Sequence, residues 1–536
     1  MSSADVRARP PLGPAGRPAW ARPAPVAVWL ATGLATAAFL LARLPVSDLQ
    51  AAQARAAASR AGAGVTYWLG WFGGAVPGRY SVLSGWLGGL LGVRLVAAAA
   101  VLGIVGLGWL LLAGVPDRAG GLAAIAVAAT ATLWSGRVAF CLGGLVAMAG
   151  LCLLERGNPW AAGAVNVLAA LLSPLAAAFA ALGCSGWLAG QPAQRAGVLR
   201  YLAVSAAGLA SLLWLFGTPG TTPFDTATML KTAAILLLPQ ALPLPRPVRV
   251  TLGLALLGCL GAYLVPLGVG GNLTRFALTV MPPLVWATAR GRRRWVLGCL
   301  APAAGYAAIL LGVDLTAASG PAGQAGYYAP LVHQVAGLPG RAGFRLEALD
   351  TPTHRSSAEL VAVADLARGW DLQADAAANP LFYGGQPLTA ASYDRWLRGN
   401  AVGWVAVPDD LNAHNRQEGR LIASGLPYLR PIWQDRHWRL YAVRSPAPIV
   451  PAPARLAAES GTSLTVAVPA AGTVELRVRP SKFLCVTGPG TGRLSSAGPE
   501  LTALQVDRAG VYRISALSAP GWLGRRAGWA GSRGCD

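Results

Sequence analysis

Long apolar runs separated by short polar connections occupy roughly the first three hundred residues. Each run is about as long as a helix that crosses roughly 30 Å of hydrocarbon. The predicted segments are 24–42, 93–113, 119–134, 138–154, 198–216, 226–244, 248–267, 272–288 and 295–313. The pattern therefore predicts a polytopic α-helical membrane domain over residues 24–313.

The stretch 160–189 has two interpretations because Ser173-Pro174 lies at its centre. It is either one kinked helix or a hairpin of two half-length spans. Arg and Lys near span ends favour the cytoplasmic side. The hairpin places about thirteen Arg in cytoplasmic segments and about five in short outside loops. It therefore predicts about eleven membrane segments in a multi-pass cell-membrane protein, with residues 1–23 as a cytoplasmic tail.

The pattern changes after residue 313. Residues 314–340 are rich in Gly and Pro and are predicted to form a linker, and residues 341–445 mix helical and strand-like periodicity. Helical spacing runs over 356–369, and residues 390–398 are predicted to form a helix with Thr389 as its N-cap. Residues 446–536 show short alternating runs between turns, which is typical of a β-sandwich. The predicted fold class is a membrane domain followed by an extracytoplasmic α/β plus β-sandwich region.

Composition agrees with a membrane protein and excludes a nucleic-acid-binding protein. The 536 residues are 54% apolar and 12% charged, and their net charge is +22. Almost all the positive charge is Arg, because Lys231 and Lys482 are the two lysines, and anionic membrane lipid explains it more simply than nucleic acid. Residues 1–313 carry a net charge of +17 and five acidic residues.

Cysteines and histidines offer little site chemistry. Five cysteines fall in apolar spans without metal-ligand spacing, so no metal ligands are assigned. Cys485 and Cys535 pair only if their region lies outside the cytoplasm, and the unpaired alternative stays open. The membrane domain contains no His, which leaves carboxylates for proton transfer there. His333, His354, His414 and His437 are dispersed and are interpreted as structural.

Asp48 is the first candidate functional residue. It lies a few residues after the first span, in an outside loop predicted over residues 43–92. In one interpretation Ser47 and Gln50 form a capping box and Asp48 only favours the helix start. In the other, Asp48 is a general base at the membrane surface.

An aromatic stretch follows Asp48 in the same loop, and it also allows two interpretations. Its members are Tyr67, Trp68, Trp71, Phe72, Arg79 and Tyr80. They form either an interfacial aromatic belt or a sugar platform in which Arg79 offers a fork to a phosphate. The belt interpretation is preferred for Trp71 and Phe72, and a role in binding the substrate is preferred for Arg79 and Tyr80.

Four more polar residues lie near predicted outer span ends. The first interpretation of Asp225 is that it is the N-cap of the next helix. The alternative is that its carboxylate takes part in a reaction on the extracytoplasmic side of the membrane. Lys231 and Arg275 are predicted to hold an anionic phosphate, with snorkelling to the surface as the alternative. Asn272 precedes Arg275 at a helix start whose backbone amides would assist.

The layout resembles the GT-C class of polytopic glycosyltransferases. The matching features are an Asp in the first outside loop, a short surface helix, paired half-length spans and a soluble region after the last span. The segments PGRYSVL (77–83), LLSPLAAAF (171–179), GGNLTRFAL (270–278), and NPLFY to GLPYLRPIWQDRHWRLYAV (379–443) look like parts of actinobacterial multispanning proteins, often filed as transporters or uncharacterised. The resemblance implies that Asp48 is the catalytic base and that outer Arg or Lys side chains hold the donor phosphate.

The chain departs from the class in its acidic residues. Many members have an acidic pair or a metal-binding acid in these loops, whereas Asp48 has only Asp225 as a predicted partner. A divalent metal is therefore an open alternative without assigned ligands.

The leading hypothesis is a membrane glycosyltransferase. It would transfer a sugar from a polyprenyl-phosphate donor to an envelope glycan, lipid or protein. The alternatives are a polytopic transporter and a catalytically silent envelope scaffold.

Overall fold

The computed structural model describes residues 23–115, 117–190, 192–218, 220–222, 224–383, 385 and 387–517. The helices up to the last apolar one are α1 (Pro23–Ala42), α2 (Ser47–Arg60), α3 (Ser84–Leu91), α4 (Val93–Leu111), α5 (Arg118–Trp134), α6 (Val138–Glu155), α7 (Pro159–Leu172), α8 (Pro174–Ser185), α9 (Pro192–Phe216), α10 (Thr226–Leu237), α11 (Arg246–Leu264), α12 (Leu273–Arg275), α13 (Met281–Thr288) and α14 (Arg293–Ser319). They form a bundle with α2 and α3 at one end.

Within the described residues, six helices are long and apolar enough to cross a membrane. They are α1, α4, α6, α9, α11 and α14. Shorter apolar helices cover Arg118–Trp134, Pro159–Leu172 and Pro174–Ala189. The chain is thus a membrane protein with six candidate spans. The predicted count of about eleven membrane segments is not confirmed.

The stretch 160–189 is broken at Ser173, as the two-helix interpretation predicts. Ser173 is extended (φ −156°, ψ 103°), and its hydroxyl accepts a hydrogen bond from the amide of Ala176. Pro174 starts α8, where its missing N–H costs nothing. The amides of Val82 and Leu83 donate to the carbonyl of Leu171, so this break lies against the loop that contains Asp48.

The predicted span 272–288 is helical but irregular. A π-helical turn, Phe276–Val280, separates α12 from α13. Pro282 and Pro283 cannot donate the usual backbone hydrogen bonds, which explains why the regular ladder is interrupted just before them. Arg275 is the residue immediately before the π turn.

The predicted linker 314–340 is instead largely helical. Helix α14 continues to Ser319, and α15 (Ala325–Ala336) follows a single 3-10 turn. Tyr327, Tyr328 and Leu331 of α15 are buried in the core of the following α/β region. The high glycine content therefore marks a tight helix-to-helix connection.

An α/β region follows α15. Its strands are β1 (Arg345–Ala348), β2 (Val402–Pro408), β3 (Leu429–Gln434) and β4 (Trp438–Val443), and its helices are α16 (Arg355–Glu359), α17 (Leu372–Ala378), α18 (Ala390–Gly399) and α19 (Arg416–Ala423). The sheet order is β1-β2-β4-β3, with β1 and β2 parallel. Thr389 caps α18 as predicted, whereas the helical pattern predicted over 356–369 ends after one helical turn and a 3-10 turn.

The predicted β-sandwich is present in the described part of the C-terminal region. Its strands are β5 (Arg455–Ser460), β6 (Ser463–Val468), β7 (Gly472–Leu476), β8 (Leu484–Thr487), β9 (Gly492–Ser496), β10 (Thr502–Val506) and β11 (Gly510–Ala516). The sheets β5-β6-β11-β8 and β7-β10-β9 share one apolar core. Cys485 is buried there, and Cys535 lies outside the described residues, so their pairing stays a prediction.

The loop after α2 joins the membrane helices to both extramembrane regions. The side chains of Trp68, Trp71 and Phe72 are buried in the α/β core, and that of Tyr67 is buried in the sandwich core. The amide of Leu366 donates to the carbonyl of Gly70 over 2.9 Å. The aromatic-belt prediction is wrong for Trp71 and Phe72, because these rings pack inside protein.

Candidate functional site

Asp48 lies in the first turn of α2, where the helix start does not use its side chain. The N-cap residue is Val46, which makes no side-chain cap, and Ser47 is already helical. The predicted capping box from Ser47 to Gln50 is therefore wrong: the side-chain amide of Gln50 points back to the carbonyl of Val46 instead. The Asp48 carboxylate turns towards two arginines.

Arg137 and Arg275 converge on one oxygen of Asp48. The Nε atom of Arg137 lies 3.2 Å from Oδ2, and Nη2 of Arg275 lies 3.3 Å from the same atom. Arg137 occupies the turn between α5 and α6, and Arg275 ends α12. Three segments that are distant in sequence thus build one charged site at the extramembrane end of the bundle.

The turn that carries Arg137 approaches α2 closely because of Gly136. Gly136 has φ +75°, and a Cβ there would lie 2.5 Å from the amide nitrogen of Leu49. A side chain would force the turn away from the start of α2. Glycine is therefore what allows Arg137 to reach Asp48.

The site keeps hydrogen-bonding capacity for a ligand. Among the described residues, Oδ1 of Asp48 has no hydrogen-bond partner. Each arginine uses one of its five N–H donors on Asp48, and no other acceptor in the described segments bonds either guanidinium. The three side chains are 21% to 26% exposed, so a ligand can reach them.

The two arginines also set the ionisation of Asp48. Burial alone would raise the pKa of this carboxyl, but Arg275 and then Arg137 outweigh that effect, and the net pKa is lowered. Asp48 is therefore an anion at neutral pH and a weak base while both arginines bond it.

Asp314 is a carboxylate that the sequence analysis did not single out, and it is close enough to Asp48 for the two groups to interact electrostatically. Asp314 lies on the last turns of α14, not at the start of a linker. An acid near the end of the last apolar span was the available signal.

His354 is held by close local contacts, in keeping with its interpretation as a structural residue. Its Nδ1 bonds a carboxylate oxygen of Asp350, and its ring stacks on Trp370 with 8° between the planes. Its left-handed backbone (φ +58°) is uncommon for a residue with a side chain. These contacts hold the ring in one orientation.

Tyr80 packs against Arg55 of α2, whose guanidinium lies 3.9 Å from the centre of the Tyr80 ring and also bonds Asp371. Burial raises the pKa of the Tyr80 phenol, so its hydroxyl stays protonated at neutral pH, and Asp48 and Arg275 also act on it electrostatically. Its role in substrate binding stays a prediction.

Tyr67 and Trp68 do not join the site. Their side chains are 1% and 5% exposed, and the Tyr67 hydroxyl donates to the carbonyls of Gly73 and Arg479. Burial leaves neither ring face open for a sugar, which argues against the predicted platform.

Arg79 and Asp225 act at helix ends. Nε of Arg79 donates to the carbonyl of Phe216 at the end of α9 over 2.9 Å. Asp225 caps α10 by accepting from the amide of Thr228, as its first interpretation predicts. No described contact joins either side chain to Asp48.

Neither Lys231 nor Asn272 makes a described contact with the Asp48 carboxylate. The exposed ammonium of Lys231 lies 5.6 Å from the centre of the Tyr306 ring, and Asn272 donates to the hydroxyl of Thr222. Of the side chains predicted to form the site, the structure brings Asp48 and Arg275 into direct contact.

The site residues do not fit a divalent cation. Oδ2 of Asp48 already accepts from two guanidinium groups, whose positive charge opposes a cation there. In the described residues, no group of three or more His, Cys, Asp or Glu is arranged to hold a metal.

The fold and site define a polytopic membrane protein with a carboxylate-diarginine site beneath an α/β and β-sandwich region. No protein-family model matches the chain, and no curated protein matches it. Two cryo-EM structures of a variant of arabinofuranosyltransferase AftD from Mycobacteria are similar, with 15% and 14% identity and TM-scores of 0.41. They align with 92% and 91% of this chain, which spans 60% and 59% of theirs.

Proposed function

We propose that the chain is a membrane glycosyltransferase that moves a sugar from a polyprenyl-phosphate donor to a cell-envelope acceptor. The observation that carries this proposal is the convergence of Arg137 and Arg275 on one oxygen of Asp48 at the end of the membrane helices. Their remaining N–H groups suit a phosphate, because guanidinium groups form strong, directed hydrogen bonds to phosphate oxygens. A lipid-linked phosphate meets such donors at the membrane surface while its tail stays in the bilayer.

The proposed reaction is a single displacement. The acceptor hydroxyl donates to Oδ1 of Asp48, and its oxygen attacks the anomeric carbon of the donor sugar. The bond from that carbon to the phosphate oxygen breaks, and polyprenyl phosphate leaves with the electron pair. Asp48 takes the hydroxyl proton, and Arg137 and Arg275 stabilise the charge on the leaving phosphate.

In this proposal the catalytic end of the bundle and residues 341–536 lie outside the cytoplasm. The support is the distribution of Arg, which is denser in the segments at the opposite end of the spans. The acceptor then approaches from the side of the α/β region. A hydroxyl group of an envelope glycan, of a lipid or of a protein can approach from this side.

Transfer by the full-length protein in lipid nanodiscs tests the proposal. Radiolabelled polyprenyl-phosphate sugars, including arabinofuranose, are supplied with envelope extract as acceptor. Asp48→Asn is expected to lower kcat by about 10² to 10⁴-fold. Arg137→Gln and Arg275→Gln are expected to raise the donor KM as well as lower kcat.

Glu155→Gln is the matched control, since Glu155 is an exposed carboxylate elsewhere on the membrane domain. It should retain wild-type transfer. Full activity of Asp48→Asn would contradict the proposal. Solute counterflow in proteoliposomes without any transfer would favour the transporter instead.

A further inference from the structure

Exposed arginines from two neighbouring segments form a positively charged surface at one end of the bundle. They come from the first turns of α11 and α14 and from the connection that precedes α14, and we call them the arginine patch: Arg246, Arg249, Arg290, Arg292 and Arg294. The amide of Arg290 donates to the carbonyl of Pro243 over 3.1 Å. The Nη2 atom of Arg249 donates to the neighbouring carbonyl of Leu242 over 3.2 Å. These bonds hold the two segments together on one surface.

No carboxylate in the described part of the chain balances the arginine patch. None of its five side chains has an ion-pair partner within 4 Å there. Asp117 lies at this end of the bundle, but its Oδ2 already pairs with Nη2 of Arg293 over 3.2 Å and accepts from Nε1 of Trp286 over 3.0 Å. Helix α5 begins beside Asp117 and ends at the turn that carries Arg137. The patch is therefore at the end of the bundle opposite Asp48.

The starts of α11 and α14 add to the positive charge of the patch. Neither helix has a side-chain cap, and neither has an acidic residue in its first turn. The first N–H groups of a helix lack intrahelical partners and carry a partial positive charge, which favours anions and disfavours cations. Arg246 and Arg294 nevertheless occupy these first turns. An anion bound at the patch would offset the repulsion at both helix starts.

Exposed apolar side chains next to the patch indicate that the hydrocarbon of the membrane begins there. Trp295 and Leu297 follow the patch on α14, and Leu254 lies further along α11; all three are exposed. The guanidinium of Arg294 lies 5.6 Å from the centre of the Trp295 ring. Tryptophan and arginine side chains both favour the level of the lipid headgroups. The anion available at this depth is a lipid phosphate.

We propose that the arginine patch binds the phosphate of an anionic phospholipid in the leaflet at this end of the bundle. Guanidinium groups bond phosphate oxygens through paired N–H donors, and the uncapped helix starts supply backbone amides. The acyl chains lie along the exposed apolar side chains of α11 and α14. The inference does not depend on the proposed function, because the patch and the Asp48 site are at opposite ends of the spans.

Lipid retention by the full-length protein tests the proposal. The protein is reconstituted in nanodiscs of phosphatidylcholine and phosphatidylglycerol and then extracted in mild detergent, and mass spectrometry counts the bound lipids. The wild type is expected to retain phosphatidylglycerol above its share of the bilayer. The triple variant Arg290→Gln, Arg292→Gln, Arg294→Gln should lower that enrichment about fivefold or more, because each arginine near an anionic lipid surface contributes to binding. An unchanged enrichment in this variant, or none in the wild type, would overturn the proposal.

A charge-matched control removes three arginines elsewhere. Arg430, Arg436 and Arg439 are exposed in the α/β region and form no ion pair with any described residue. Their triple replacement by Gln changes the net charge equally and should leave the enrichment at the wild-type level. A loss equal to that of the patch variant would assign lipid retention to net charge and overturn the proposed site.

A second patch variant separates charge from folding. Replacing Arg290, Arg292 and Arg294 by Lys keeps the positive charge and should keep most of the enrichment. A loss as large as that of the Gln variant would show that the fold of the connection, and not its charge, holds the lipid, and would overturn the proposal.

Discussion

The Nη2 atom of Arg55 lies 2.6 Å from Oδ2 of Asp371, an ion pair that joins α2 to the N-terminal cap of α17. The two side chains are only 10% and 12% exposed. Removing one partner leaves a largely buried charge, which costs about 3–5 kcal/mol. Arg55→Met should therefore lower the melting temperature of the full-length protein and speed proteolysis between the membrane helices and the α/β region.

Arg60→Met provides the control for this prediction. Arg60 lies on the same helix, is exposed and forms no ion pair among the described residues. It should melt like the wild type. The double variant Arg55→Met with Asp371→Asn should recover part of the loss, since no unpaired charge then remains. A double variant less stable than Arg55→Met alone would contradict the ion pair as the cause.

Substitution of Trp71 tests whether the aromatic residues of the loop 43–92 belong to the core of the α/β region. Its side chain is 1% exposed and packs with Trp68 and Phe72 against the α/β region. Trp71→Ala should cost about 3–5 kcal/mol of stability, as for other buried aromatic side chains. Chemical denaturation of the detergent-solubilised protein would measure the loss.

Trp86→Ala is the matched comparison, since Trp86 lies in the same loop and is 57% exposed. It should change stability by less than about 1 kcal/mol. Equal effects at the two positions would favour the aromatic belt over the core.

Local patterns predicted the membrane helices and the C-terminal strands because both depend on nearby residues. The break at Ser173 follows from Pro174, and the cap at Thr389 follows from hydrogen bonds within one helical turn. These features need no knowledge of tertiary contacts.

The candidate site was only partly predictable, because its residues come from distant segments. A charge count singled out Asp48, and position at a span end singled out Arg275. Arg137 and Arg275 reach Asp48 only because the α5-α6 turn and the end of α12 return to the start of α2. The burial of Trp71 likewise depends on a partner surface nearly three hundred residues further along the chain.

Gly136 offers a test of how closely the α5-α6 turn must approach α2. In Gly136→Ala the new Cβ meets the amide of Leu49, so the turn and Arg137 should move away from Asp48. We expect a stability loss of about 1–3 kcal/mol and a higher donor KM. Gly157→Ala is the control, because Gly157 has nearly the same φ, +76°, and nothing lies within 4 Å of its Cβ. Equal effects would assign the loss to backbone strain alone.

The carboxyl group of Asp365, in the α/β region, gives stability a pH dependence. Glu459 of β5 and Arg345 of β1 act on it electrostatically. Burial and then Glu459 raise the pKa of Asp365 from 3.8 to about 7, against the opposing effect of Arg345. The folded protein thus holds a proton at Asp365 over a pH range in which the unfolded chain has released it.

Because the folded state binds more protons between these two pKa values, this group should lower stability as pH rises from about 4 to about 7, with no further change above. Asp365→Asn removes the ionisation while keeping the shape of the side chain. Its melting temperature should therefore exceed that of the wild type by a margin that grows across this range and then stays constant. Glu475→Gln, at an exposed carboxylate of β7, should show no such growing margin. A margin for Asp365→Asn that is constant or shrinks with rising pH would mean that Asp365 is ionised in the folded protein throughout, with Arg345 outweighing both its burial and Glu459.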